Sequence, residues 1–172
     1  LSNAVLALAQ LGRRELTFEP IDTLLLVQEI LATLAFQINQ KQVTVDISPL
    51  PEVVADQLAL EQIMSNLLTN ALTYLLPDRP GHIRVWGEAG VDKTTFYVGD
   101  NGRGLADAEH EKIFEPFYRS GRQDTPGEGM GLTYVQTLVR RHGGQISCHS
   151  EPGQGATFVF TISKHMTVIS NR

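Results

Sequence analysis

Cysteine occurs once in the 172 residues, at Cys148, so an intramolecular disulfide and a multi-cysteine zinc site are both excluded. No apolar run approaches the ~20 residues that a membrane helix requires. The opening apolar stretch, Ala4 to Ala9, is short and has no basic flank before it, unlike a secretory leader. Basic residues are in deficit, 14 Lys and Arg against 19 Asp and Glu, for a net charge of −5. Nonspecific nucleic-acid binders and proteins held to anionic membranes are normally basic, so neither nucleic acid nor direct membrane contact is expected. Internal repeats and low-complexity tracts are missing too. What is present is a globular balance, 42% hydrophobic and 19% charged, which argues against disorder. The length suits one domain, or one domain with a short appendage, and a cytoplasmic location is the expectation.

Leu1 to Leu16 opens with good helix formers and little polar face, so it should pack against something, with Gly12 as its stop. The alternation Leu16-Thr17-Phe18-Glu19 predicts a short strand ended by Pro20. Asp22 predicts the N-cap of a helix from Thr23 to about Asn39, with Leu26, Val27, Ile30, Leu31 and Leu34 as its apolar face. Val43 to Ile47 alternates as a strand, closed by Pro49 and Pro51. Asp56 caps a second helix that runs to about Leu75 and is stopped by Pro77 and Pro80. Strands follow over Ile83–Gly87 and Thr95–Val98, joined by a turn containing Gly90. A third helix spans Leu132 to His142, ended by Gly143-Gly144, and the last strands, Gln145–Ser150 and Thr157–Ile162, flank Pro152-Gly153. Strand pairs joined by short turns imply a mixed, mostly antiparallel sheet. Three amphipathic helices covering one face then make an α+β, two-layer α/β sandwich. A polar, glycine-bearing segment from Asp100 to Met130 holds one short helix near Ala108–Ile113. A loop of that length inside a compact domain is usually functional.

Three constellations carry chemistry. On the second helix Asn66 and Asn70 are four apart and share one face, among Ile63, Leu67, Leu68, Ala71 and Leu72. Two inward amides need partners, and an Asn carbonyl oxygen is a hard, neutral ligand suited to a hydrated Mg²⁺ carrying phosphate. Exposed or backbone-bonded amides would fit the same spacing. Next, Asp100-Asn101-Gly102-Arg103-Gly104 follows a strand. It reads as an Asn-Gly hairpin turn or as a loop whose Asp accepts a hydrogen bond from an exocyclic amine. In the second case the glycines let backbone approach a flat ring. The segment beyond does not alternate as a returning strand would. Last, Gly127-Glu128-Gly129-Met130-Gly131-Leu132 runs into a helix, where free N–H groups and the helix dipole make an anion cradle. A flexible linker is the other reading, and the dinucleotide and Walker patterns do not fit. Between these lies Ile113-Phe114-Glu115-Pro116-Phe117-Tyr118-Arg119, aromatics around a proline, with Arg119 or Arg122 able to reach a phosphate.

In this order the boxes resemble the ATP-binding domain of sensor histidine kinases, of the superfamily shared with DNA gyrase, the MutL mismatch-repair ATPases and the heat-shock ATPase chaperones. Asn66–Tyr74 is similar to the N box, Asp100–Gly104 to the first glycine box, Phe114–Phe117 to the F box and Gly127–Leu132 to the second glycine box. Gly153 to Phe158 resembles the closing strand motif. The resemblance covers about Phe18 to Ile162 and implies a Bergerat-type ATP-binding fold that binds ATP and Mg²⁺. By it, Asn70 ligates Mg²⁺, Tyr74 lies against the nucleotide and Asp100 binds the adenine amine with Thr157 nearby. Residues from about Tyr118 to Gly131 form a lid over the phosphates. Asn66, Gly102, Gly104, Ile113, Phe117, Arg119, Gly127, Gly129, Gly131 and Leu132 complete the implied nucleotide site.

Asn66 stands where hydrolysing relatives carry a general-base Glu, and an amide cannot take a proton from water at neutral pH, which favours transfer over hydrolysis. Glu61, about 140° round the helix from Asn66, is a poor substitute. One departure is Thr73, where the family usually has a phosphate-facing Lys. His110-Glu111 imitates the family's acceptor motif but belongs to the F-box approach and reads as an exposed surface residue. Leu6–Leu16 resembles the end of a dimerisation hairpin. The expected division is therefore residues 1–16 as hairpin end or linker, 17–164 as the ATP-binding domain and 165–172 as a tail. The implied partners are a phospho-acceptor and dimerisation domain of the same protein and a response-regulator receiver domain. A nucleotide-sensing module without kinase activity and an anti-sigma-factor-type Ser/Thr kinase are the alternatives.

Overall fold

Alternation along the chain sets the sheet. Strand β4 (His82–Ala89) buries Ile83 and Val85, while β5 (Lys93–Asp100) buries Thr94, Phe96 and Val98. At the far end β7 (Gly155–Ser163) buries Ala156, Phe158, Phe160 and Ile162. With β2 (Thr44–Ile47) and β6 (Ile146–Glu151) they form a five-stranded sheet in the order β2–β4–β5–β7–β6. Only β2 against β4 is parallel in this sheet; the other three pairings are antiparallel. The computed structural model describes residues 14–115 and 131–167.

Helices cover the buried face. They are α1 (Thr23–Thr33), α2 (Ala35–Gln40), α3 (Gln57–Thr73) and α4 (Gly131–Arg141). Helix α3 is the spine: Leu60, Ile63, Met64, Leu67 and Leu68 are fully buried and share one core with Phe96, Phe160 and Leu138. Burying side chains of this size stabilises the fold by about 1.5–3 kcal/mol each. On the opposite side of the sheet Trp86 stacks on Tyr97, their centroids 4.8 Å apart. Cys148 is buried in β6 opposite Phe158, and burial pushes its thiol up to about 12.

Four expectations change. Pro20 does not end a strand but lies within β1 (Phe18–Ile21), which pairs antiparallel with β3 (Val53–Asp56) in a separate two-stranded ribbon. Proline is tolerated there because a two-stranded ribbon has only edge strands. Strand β3 itself was not expected after Pro49 and Pro51. The first helix breaks at Leu34 instead of continuing to Asn39. There the Thr33 hydroxyl donates to the Ile30 carbonyl at 2.6 Å and competes with the helix ladder. The short helix near Ala108–Ile113 is replaced by two 3-10 turns, Asp107–Glu109 and Lys112–Phe114.

The ribbon fixes the start of α3. Asp56 closes β3 and caps α3, accepting from the Ala59 N–H at 2.8 Å. Its carboxylate also accepts from Arg14 and from the Thr17 N–H, each at 2.8 Å. The Asp56 N–H donates to His142 Nε2 at 3.1 Å, and His142 Nδ1 lies 2.7 Å from the Leu138 carbonyl. Nε2 must therefore carry the lone pair and Nδ1 the proton, so the ring is neutral. Burial, which lowers the His142 pKa, agrees. One cluster thus joins the segment before β1, the start of α3 and the end of α4.

Candidate functional site

Helix α3 and strand β5 end side by side, and their last residues define a cleft. From α3, Asn70 and the C-cap residue Tyr74 enter it, one turn apart on the same face. From β5 comes Asp100, and the following loop adds Arg103, Gly104 and Leu105. Ile113 and Leu132 close the far wall, and Ala156 and Phe158 of β7 supply the rest of the lining. An apolar cleft with a few convergent polar groups is the usual form of a small-molecule site.

Asp100 is the most perturbed polar group in the cleft. Burial pushes its carboxyl up to about 6, while hydrogen bonds from the Gly102 and Ala156 N–H groups and the charge of Arg79 pull the other way. Both N–H groups reach the same oxygen, Oδ1, at 2.8 and 3.4 Å. Oδ2 has no donor among the described residues, which makes it a ready acceptor for an amine in the cleft.

The glycines here answer to close backbone approach. A β-carbon on Gly102 would stand 2.3 Å from the Tyr74 carbonyl oxygen. Gly104 has φ +68°, and a β-carbon there would stand 2.0 Å from the Glu151 carbonyl oxygen. No other residue type fits either position without moving the loop.

The other expected residues fall as follows. Asn66 does not line the cleft. Its Nδ2 donates to the Gln62 carbonyl at 2.7 Å, and a β-carbon on Gly131, the first residue of α4, would stand 2.7 Å from its Oδ1. Thr157 lies opposite Gly99 and lines a shallower adjacent hollow that Asp100 also borders. Thr73 donates its hydroxyl back to the Thr69 carbonyl at 2.9 Å. Glu61 lies in a groove with Leu26 and Glu29 of α1, away from the cleft. His110 is not an exposed surface residue: it is half-buried, with Nε2 3.1 Å from the Ser150 hydroxyl. Phe117, Arg119, Arg122, Gly127 and Gly129 lie outside the described residues.

Sequence reasoning missed Arg103, whose guanidinium sits 4.4 Å from the centre of the Tyr74 ring inside the cleft. It lies within the Asp100–Gly104 motif, so a reading of that loop for charge as well as for glycine would have found it. Phe158 was visible as part of the closing strand, but not as cleft lining. Among the described residues no group of three or more His, Cys, Asp or Glu could hold a metal, and no helix is long and apolar enough to cross a membrane.

Residues 55–166 match the family model of the histidine kinase-, DNA gyrase B- and HSP90-like ATPases. The chain belongs to this family. Phytochrome-like protein Cph1 of Synechocystis sp. is 35% identical over 149 residues, 86% of this chain and 20% of that protein. The circadian input-output histidine kinase CikA of Synechococcus elongatus is 33% identical over 178 residues, 98% of this chain and 23% of that protein. This family member therefore spans about a fifth of the length of these curated relatives. Full-length ShkA, solved in complex with AMPPNP, superposes with a TM-score of 0.81 at 30% identity, covering 97% of this chain and 36% of that one. The two-layer sandwich expected from strand and helix order is the fold of this family member.

Proposed function

We propose that this chain is the ATP-binding catalytic domain of a sensor histidine kinase, binding Mg-ATP and passing the γ-phosphoryl group to a histidine on a separate dimerisation domain. Asp100 carries the reading. It is a carboxylate at a strand end, anchored through one oxygen by two backbone N–H groups and leaving the other for an adenine amine. Phe158, Ile113 and Leu132 offer apolar contact to the flat base, and Tyr74 stands at the polar end with Asn70.

The donor set suits Mg²⁺ held mainly by substrate phosphates. Asn70 presents a neutral amide in the cleft, and no carboxylate cage stands there among the described residues. Mg²⁺ favours one or two protein oxygens together with phosphates and waters. Asn70 would hold the ion, which neutralises phosphate charge when bound. The protein's own part is to orient the nucleotide and to withhold a base. By the family resemblance Asn66 stands at the position of a general base, and an amide cannot deprotonate water, which favours transfer to an acceptor imidazole over hydrolysis.

In this reading residues 17–164 form the nucleotide domain, 1–16 the end of a helical hairpin and 165–172 a tail. A response-regulator receiver domain takes the phosphoryl group onward, and cytoplasmic ATP sets the location. The decisive experiment is calorimetric titration with ATP and Mg²⁺, followed by transfer from γ-labelled ATP to a helical hairpin bearing a histidine. Tight binding that Asp100→Asn and Asn70→Ala both weaken about tenfold or more supports the reading. Binding untouched by either change overturns it. Thr73, turned back onto its own helix, supports the second reading, a nucleotide-sensing module; ATP binding with no transfer to any hairpin would favour it.

A further inference from the structure

We infer that Arg79 is a positioning residue for adenine recognition, fixing the Asn101–Gly102 backbone against the β6–β7 turn and so aiming Asp100 into the cleft. The inference rests on the ATP reading above and adds to it a residue outside every motif.

Arg79 lies in the connection between α3 and β4 and does not line the cleft. Its Nη2 is 2.5 Å from the Asn101 carbonyl oxygen, 2.9 Å from that of Gly102 and 2.7 Å from that of Gly153. Three carbonyl oxygens from two separate segments converge on this one nitrogen and share its two N–H groups. Without a cation between them they would repel, and a guanidinium donates to such a set in a fixed plane.

The segment around Arg79 is stitched to the same loop at further points. The Asn101 amide donates to the Pro80 carbonyl and accepts from the His82 N–H, both at 2.8 Å. The Arg103 N–H donates to the Tyr74 carbonyl at 3.0 Å, and the Gly153 N–H to the Arg103 carbonyl at 2.6 Å. The consequence for recognition runs through Gly102. Its N–H is the nearer anchor of Asp100 Oδ1, and its carbonyl is held by Arg79. The Asn101 carbonyl, which Arg79 also holds, is in the same peptide unit as that N–H, so a shift of the Asn101–Gly102 peptide turns the carboxylate that faces the base.

The test compares the full chain with Arg79→Ala, Arg79→Lys and Arg79→Gln, titrated with Mg-ATP and Mg-GTP from pH 5 to 8, with thermal melts as the folding control. Arg79→Ala is expected to weaken ATP binding about tenfold and to shrink the preference for ATP over GTP. Arg79→Lys, which keeps the charge and three donors, should restore ATP affinity to within about threefold. The pH below which ATP binding fails should move upward in the Ala and Gln variants. The other charged or titratable groups near Asp100 among the described residues are Tyr74 and Arg103 in the cleft, Cys148 on β6, and His110, His149 and Glu151 along the adjacent hollow, and none of them is altered in these variants. Unchanged ATP affinity in Arg79→Ala overturns the inference. So does an equal loss for ATP and GTP with an unmoved pH profile, which marks a merely structural residue. If Arg79→Ala does not fold, the Gln and Lys variants decide by the same criteria. Failure of the unaltered chain to bind ATP overturns the ATP reading and this inference together; normal ATP binding with an indifferent Arg79 overturns only the inference.

Discussion

At Asp100, recognition and stability pull in opposite directions. Its carboxyl titrates near 6 in the folded protein against 3.8 for an unperturbed group, so the native state holds the proton more tightly. The resulting stabilisation is full below about pH 3.8 and is lost as the pH rises through about 6. At pH 7.5 Asp100→Asn should therefore raise stability by about 1–3 kcal/mol in urea titrations, because it removes a buried charge and keeps an acceptor for the Gly102 N–H. The same change should lose at least about tenfold in ATP affinity. ATP binding by the unaltered chain should weaken as the pH falls through about 6, where the acceptor becomes protonated; calorimetry at pH 5 and 8 checks this. Gly104→Ala forces a β-carbon onto the Glu151 carbonyl and should cost about 1–3 kcal/mol along with nucleotide binding. Asp100, Asn70, Tyr74 and the loop glycines were legible because each belongs to a local pattern of spacing and residue type. Arg79 was not: its partners are brought by the fold, and it reaches a turn 74 residues away.

Among the elements, α3 joins core and cleft. Its buried side carries Leu67 at zero exposure, one turn before Ala71 and beside the Asn66 and Asn70 face. Leu67→Ala should cost about 2–5 kcal/mol and weaken nucleotide binding indirectly, seen as a lower urea midpoint. Its N-terminus depends on Asp56. Burial alone would raise that carboxyl, but Arg14 and the Thr17 and Ala59 N–H groups outweigh burial and hold it below its ordinary 3.8. This stabilisation is present above about pH 3.8 and is lost as the pH falls through the depressed value. Asp56→Ala should cost about 2–3 kcal/mol near neutrality, through the lost cap and the unpaired donors. The caps at Asp22 and Asp56 were readable because an N-cap is chemistry within three residues. Strand β3 was not: it has four residues, follows two prolines, and owes its existence to pairing with Phe18–Ile21 more than thirty positions earlier. The break at Leu34 escaped too, since a threonine inside an apolar period gives no sign of where its hydroxyl will bond.

For the molecule as a whole, the β1–β3 ribbon ties the residues before Phe18 to the start of α3 and the end of α4 through Asp56 and His142. Arg14 and the Thr17 N–H, both held by the Asp56 carboxylate, thereby couple the residues just before β1 to the helix that carries Asn70. Binding without consumption is the expectation that the proposed function sets for the whole molecule. With Asn66 in place of a base, phosphate release from ATP should stay at background in a coupled assay even when the cleft is saturated. The net charge of −5 does not oppose nucleotide binding in the proposed reading, because the described cleft offers the Asn70 amide with Arg103 beside it. Cys148, buried in the edge strand β6 with its thiol pushed up to about 12, makes the sheet its own reporter. A thiolate-seeking reagent should find nothing to react with in the closed protein, so its labelling rate becomes a clock for the opening of that edge. Because Cys148 faces Phe158, which lines the cleft, a bound nucleotide should slow the clock, and a single thiol count over time would read occupancy and sheet breathing together.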